Sequence, residues 1–310
     1  MKKLIVSSVL VMALFAPANQ AVAADFNAEQ AIQGLVVSGV VESWNGYTFR
    51  SGPDGNYNPD KEDHFSSGID GRLSLPLGDN LSIQMDGKVE YTDAAFDSSD
   101  ANDTFQYSSQ LGTHLTYRDP NSFAFGAFGA FGLGQGDNSP VDAYAVGGEL
   151  QFYLNDLTFY LQGGYMDSDT TASNPQDGFH NALFVRGVGR WYITPDSRLQ
   201  AEFSYANGDQ DGIDGDRLND MDVFEWGVRY DMLVSGIPIV GDTQFFVGYR
   251  GFDADNGRSL SDTGAVTEHT IMVGTSHSFG GSSMKETERF GAGLDLPNFM
   301  RWASSGVWLD

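Results

Sequence analysis

Three groups of side chains in the 310-residue chain have types and spacings that could do chemistry. The stretch "NGDQDGIDGD" sets oxygen donors at Asn207, Asp209 and Asp211, with Gly212 in the sixth place. That is the first half of a Ca²⁺ loop, because hard cations collect oxygen ligands around a tight glycine turn. The twelfth place, however, is Leu218 where a bidentate carboxylate belongs, and a solvated acidic loop has the same composition. His64 and Ser66 stand two residues apart, a base and a hydroxyl that extended backbone would put on one face. His114 and His180 have no carboxylate pattern near them and read as hydrogen-bonding groups, not metal ligands. The largest group is a series of Arg, Lys, Asp and Glu at alternate positions, among them Arg72, Asp86, Lys88 and Glu90. Only a β-strand gathers residues at that period onto one face.

The elements that must position them follow from the same period. In "LSIQMDGKVEYTD", from Leu81, the apolar Leu81, Ile83, Met85, Val89 and Tyr91 alternate with Ser82, Gln84, Asp86, Lys88 and Glu90. Twelve such segments are predicted, at 35–49, 64–77, 81–94, 105–119, 123–136, 143–154, 157–169, 180–193, 198–206, 221–234, 243–253 and 267–279. No segment with helical period competes with them. The connections between them alternate long and short, and "LGDN", "RDPN", "LND" and "TPDS" give the short ones turn chemistry.

Alternation alone fits a soluble sandwich as well as a membrane barrel, but three features favour the barrel. The segments exceed the usual five or six residues of a globular strand and match the 9 to 11 needed to cross a bilayer at a tilt. Aromatic residues gather near segment ends, as at Tyr47 and Phe49, Phe105, Tyr117, Phe123 and Phe125, Phe152 and Tyr153, Trp191 and Tyr192, and Tyr205. The chain also opens with Lys2 and Lys3, an apolar run to Phe15 and small residues at Ala21 to Ala23, which reads as a signal peptide over residues 1–23. There is no cysteine, so thiol catalysis and cysteine metal sites are excluded. The formal net charge of −25 makes nucleic acid a poor partner.

The chain resembles the Gram-negative outer-membrane β-barrels of porin-like kind over residues 35–279. The last strand, "HTIMVGTSHSF", carries Ile271, Val273 and a terminal Phe279 in the alternating register that the family uses as its assembly signal. Members normally stop at that aromatic, whereas here Gly280 to Asp310 follow. The resemblance implies an all-β, twelve-stranded antiparallel up-and-down transmembrane barrel over 24–280. It also implies a home in the outer membrane among lipid and lipopolysaccharide, insertion by the barrel-assembly machinery, and both termini in the periplasm. A C-terminal extension over 281–310 would then be periplasmic.

In such a barrel the polar face is the lumen. The positions that would line a pore are Arg72, Asp86, Lys88, Glu90, Arg118, Glu149, Arg186, Arg190, Glu202, Glu225, Arg229 and Arg250, with Asp70, Asp231 and Glu268 on the same faces. Such a wall either orients small hydrophilic solutes as they diffuse or pairs its charges and fills the lumen. The long connections carry seventeen Asp and Glu, which would give an open pore a weak preference for cations. No cofactor is called for beyond the candidate Ca²⁺ at Asn207, Asp209 and Asp211. An outer-membrane phospholipase family sets His-x-Ser on its lipid-facing wall, but parity turns His64 and Ser66 inward, so no enzyme is expected. Strand 123–136 fits least well, because Phe128 shares the inner face with Ala124, Gly126 and Ala130. Leu296, Phe299, Met300, Trp302, Val307 and Trp308 make the extension unusually apolar, either as a loose terminus or as a short plug or docking segment.

Overall fold

The computed structural model describes residues 37–51, 64–94, 106–135, 140–170, 179–210, 219–237, 241–255, 265–281 and 283–305. The expected signal peptide, most of the acidic long connections, Phe105, Asp211, Val307 and Trp308 lie outside the described residues. Twelve strands form: β1 (Ser38–Ser51), β2 (His64–Pro76), β3 (Leu81–Ala94), β4 (Gln106–Asp119), β5 (Phe123–Gln135), β6 (Pro140–Leu154), β7 (Leu157–Thr170), β8 (Phe179–Thr194), β9 (Ser197–Gln210), β10 (Asn219–Ile237), β11 (Gly241–Asp255) and β12 (Ala265–Phe279). Each pairs antiparallel with its neighbour in sequence, and β12 returns to β1 to close the barrel. Closure satisfies every strand edge, the condition for backbone to lie in hydrocarbon.

Local chemistry sets the tight turns. Between β4 and β5 the Asp119 carboxylate accepts from the Asn121 amide at 3.0 Å and from Ser122 Oγ at 2.5 Å. Between β6 and β7 Asn155 takes φ 52°, a left-handed conformation that asparagine tolerates better than most residues.

The faces divide as the alternation requires. Outward stand Leu81, Met85 and Val89 on β3, Leu111, Leu115 and Tyr117 on β4, and Ile271 and Val273 on β12, all exposed. Inward stand Gln84, Asp86 and Glu90, then Gln110, His114, Thr116 and Arg118, all buried. Among the described side chains, every strand Lys and Arg falls on the inner face. An Arg or Lys on the outer face at mid-depth would cost about 2–4 kcal/mol in a bilayer.

Aromatics do band the outside, with Tyr117, Phe123 and Phe125 packed together at the short-turn rim and Tyr47 between Phe49 and Phe65 at the other. Two expected members of the band belong elsewhere. Tyr153 and Tyr192 are buried on the inner face, since each is the alternate neighbour of an outward residue, Phe152 or Trp191.

The extension expected beyond the barrel instead turns back into it. Gly280 takes φ 83°, and a Cβ there would come within 2.5 Å of the Val37 carbonyl, so the reversal requires glycine. Helix α1 (Met284–Phe290) follows, its first turn capped where Ser283 Oγ accepts from the Glu286 amide at 3.2 Å. It lies on the short-turn rim, where Lys285 Nζ is 2.7 Å from Asp156 Oδ1 and Arg289 Nη2 donates to the Asn155 carbonyl at 2.6 Å. Residues 291–298 then run through the lumen to helix α2 (Phe299–Ser305). Phe299, Met300, Trp302 and Ala303 are fully buried there among Val141, Met166, Phe179, Phe184, Met221 and Phe252. The described part of the extension is thus a packed plug. It explains strand β5 too: Phe128 abuts Phe184 inside this apolar cluster, and a Cβ on Gly132 would run into Met300 Cγ.

Candidate functional site

Residues 292–298 form neither helix nor strand, so their backbone polar groups must find partners elsewhere. The inner faces of β3, β4, β6, β7 and β8 supply them. Arg118 Nη1 donates to the Gly291 carbonyl at 2.6 Å, and Arg190 Nη1 to that of Gly293 at 2.9 Å. Gln84 Nε2 donates to the Leu294 carbonyl at 2.9 Å, and Gln110 Nε2 to that of Pro297 at 3.2 Å. The Asp295 carbonyl accepts from Gln162 Nε2 at 2.9 Å and from Tyr160 OH at 3.2 Å.

Charged groups tie the same segment to the wall. Arg186 donates through both terminal nitrogens to both carboxylate oxygens of Asp295, at 2.9 and 3.1 Å, and Arg190 approaches Asp295 at 3.5 Å. Arg190 also pairs with Glu288 at 2.9 Å. In α2, Arg301 bonds Glu268 and Glu90, and Trp302 Nε1 donates to Glu225 Oε2 at 2.9 Å. Lys88 donates to Asn298 Oδ1.

Across the lumen, on β1, β2 and β9–β11, several charges pair within the wall. Arg229 holds Glu42 at 2.6 and 2.7 Å and Asp231 at 2.7 Å, while Arg198 reaches Asp231 at 3.2 Å. Arg72 lies 3.2 Å from Asp70, and Arg250 pairs with Glu90 of β3 at 2.8 Å. The Arg229 guanidinium also stacks on Phe246, 3.5 Å from the ring centre. A cavity of about 150 Å³ separates this wall from the segment. Glu42, Asp70, Arg72, Arg198, Glu202 and Arg229 line it from one side, and Glu288, Asp295 and Asn298 from the other.

All twelve expected pore positions stand on inner faces, but the structure sorts them. Arg72, Lys88, Arg186, Arg190, Glu202, Arg229 and Arg250 border the cavity. Asp86 and Glu149 instead enclose His114, whose Nε2 lies 3.2 Å from Asp86 and whose Nδ1 lies 3.0 Å from Glu149. His114 is therefore flanked by carboxylates after all, because strand pairing delivers them from positions distant in sequence. Glu42 and Trp44 on β1 and Arg198 on β9 also face inward and were missed. The signal for Arg198 was available, since it shares parity with Gln200 and Glu202.

The structure describes two of the three residues of the calcium reading. Asn207 and Asp209 lie in β9, where extended backbone cannot wrap a cation. Their side chains bond across strands instead: Asn207 donates to Asp222 at 3.0 Å, and Asp209 accepts from Asn181 at 3.4 Å. His64 and Ser66 face the lumen, with Ser66 Oγ 3.4 Å from Thr92 Oγ1.

No protein-family model and no curated protein matches the sequence. Solved structures do match in fold. An outer-membrane channel from Pseudomonas putida F1 superposes with a TM-score of 0.56 at 15% identity, over 82% of this chain and 98% of that one. Less similar are the KdgM porin in complex with disordered oligogalacturonate, with a TM-score of 0.45 at 10% identity over 77% and 99% of the two chains, and the translocator domain of the autotransporter NalP from Neisseria meningitidis, with a TM-score of 0.45 at 10% identity over 88% and 98%. The chain thus has the fold of an outer-membrane β-barrel channel.

Proposed function

We propose that the protein lets small hydrophilic solutes diffuse passively across the outer membrane, and that its C-terminal segment holds the lumen closed. One observation carries this reading. The segment through the lumen has no backbone ladder of its own and is held by wall side chains beside a charged, solvent-sized cavity. A barrel that only needed filling could close with apolar side chains, whereas polar groups matched to a separable strand of chain suit a lumen that also exists without it. On this reading the short-turn rim and both termini are periplasmic, residues 1–23 are removed on export, and β12 is read by the assembly machinery. The apolar belt meets lipid and lipopolysaccharide. The acidic long connections give the mouth a weak preference for cations. The filled lumen itself favours a second reading, a structural barrel that transports nothing.

A redox tether separates the two readings, since the chain has no native cysteine. Gly134→Cys with Ser304→Cys places two thiols where a Cβ on the glycine would stand 3.1 Å from Ser304 Oγ, close enough to bridge. In a planar bilayer the oxidised protein should stay closed and the reduced protein should show discrete conductance steps, with reversal potentials favouring cations in a salt gradient. Silence in both states would establish the structural barrel.

A further inference from the structure

We propose that Arg186 and Arg190, with Tyr160 and Gln162, form a carboxylate-binding site in the lumen wall, and that Asp295 of the chain's own C-terminal segment occupies it in place of a carboxylate-bearing solute. The proposal deepens the channel reading and rests on it for the route by which a solute arrives.

The site and its occupant differ in how they are held. Strand pairing fixes the wall residues, with Gln162 opposite Arg186 and Thr158 opposite Arg190. Side-chain bonds then fix the guanidiniums: Arg186 donates to Gln162 Oε1 and to Glu202 at 2.9 Å each, and Arg190 Nε donates to Gln200 at 3.0 Å. The Tyr160 ring lies near both, 5.8 and 5.6 Å from the two guanidinium carbons. This preorganised fork meets a planar carboxylate with two parallel bonds, the strongest arrangement that arginine makes with an anion. Asp295, by contrast, sits on a stretch with no helix or strand of its own.

The balance of charge points the same way. Of the carboxylates that these two arginines bond, Glu202 belongs to the barrel and Glu288 to the rim helix α1, while Asp295 alone sits on the stretch that crosses the lumen. Withdrawing Asp295 would leave the two guanidiniums with one carboxylate fewer than they bond now, and the two Arg186 nitrogens that held it free to take another. Arg186, Arg190 and Asp295 all border the cavity, whose roughly 150 Å³ holds on the order of ten waters, enough for a small acid to approach. A solute carboxylate that takes the fork displaces Asp295, so solute binding and release of the segment are coupled in both directions.

The test uses the full chain carrying Ser304→Cys. Ser304 is buried on α2 beside Gly134, so the thiol reports whether the segment is seated. In detergent at constant ionic strength, succinate should speed maleimide labelling by about five-fold or more, and neutral succinamide should not. In calorimetry, Asp295→Asn should bind succinate about ten-fold or more tighter than the parent, and adding Arg186→Gln should abolish that binding. Labelling indifferent to succinate would overturn the proposal, and that arm decides alone if Asp295→Asn does not fold. Succinate binding by Asp295→Asn that survives Arg186→Gln would also overturn it. Neither arm reads conductance. Succinate-dependent labelling in a barrel that never conducts would leave the site standing and remove the channel, and conductance without any succinate effect would do the reverse.

Discussion

The two sides of the lumen wall share one alternation and carry charges of both signs, yet they offset the cost of burial differently. On β1, β2 and β9–β11 the charged groups answer one another across strands, as Arg229 does with Glu42 and Asp231. On β3, β4 and β6–β8 the wall is richer in neutral donors, Gln84, Gln110, Gln151, Gln162 and Tyr160, and Arg186 and Arg190 bond the segment as well as their wall neighbours. A wall whose charges pair mainly with one another depends less on an occupant. A wall of amides and forked cations is complete only with an occupant, so inner-face polarity is not a single property.

That difference can be broken from the occupied side first, with the Ser304→Cys labelling rate as a common measure. Trp302→Ala should have the largest effect, because it removes a fully buried indole and its bond to Glu225. At about 3–5 kcal/mol for such a truncation, the segment should unseat and labelling rise by about 100-fold or more while the barrel stays folded. Gly132→Val should follow, since its side chain would enter the space of Met300. Overpacking of about 1–3 kcal/mol should raise labelling by about ten-fold.

Lys285→Ala tests only the exposed rim and should change the rate by about two-fold at most. The hydrogen bond and charge of Lys285 hold Asp156 below the usual carboxylate range. A depressed carboxylate stabilises at pH above its unfolded value and loses that contribution as pH falls through its folded value. The small deficit of Lys285→Ala should therefore be the same at pH 7 and pH 5 and disappear only below about pH 4. The comparison is sharpest at Arg229→Gln, on the self-paired wall. That change should lower the thermal midpoint of the barrel yet leave labelling unchanged, and faster labelling there would show the two sides to be coupled.

Much of this was legible beforehand because it is local. "LSIQMDGKVEYTD" names its own faces, and β3 runs over the expected residues, from Leu81 to Ala94. The same parity turned His64 and Ser66 inward without any knowledge of the fold. The calcium stretch misled because its residue types were read as loop when β9 continues through them to Gln210. Tyr153 and Tyr192 misled because proximity to a strand end was allowed to outweigh parity. The aromatic-rich tail announced only that it needed a surface.

By itself the sequence determined the strands and which of their two faces carries the charges, because a two-residue repeat obliges neighbouring side chains to oppose one another whatever lies far away. Only the tertiary structure decided which charges meet. Asp295 reaches Arg186 across 109 positions of chain, and His114 reaches Glu149 across 35. No periodicity encodes such meetings; they are settled by strand register and by the path of one segment through the space that the strands enclose.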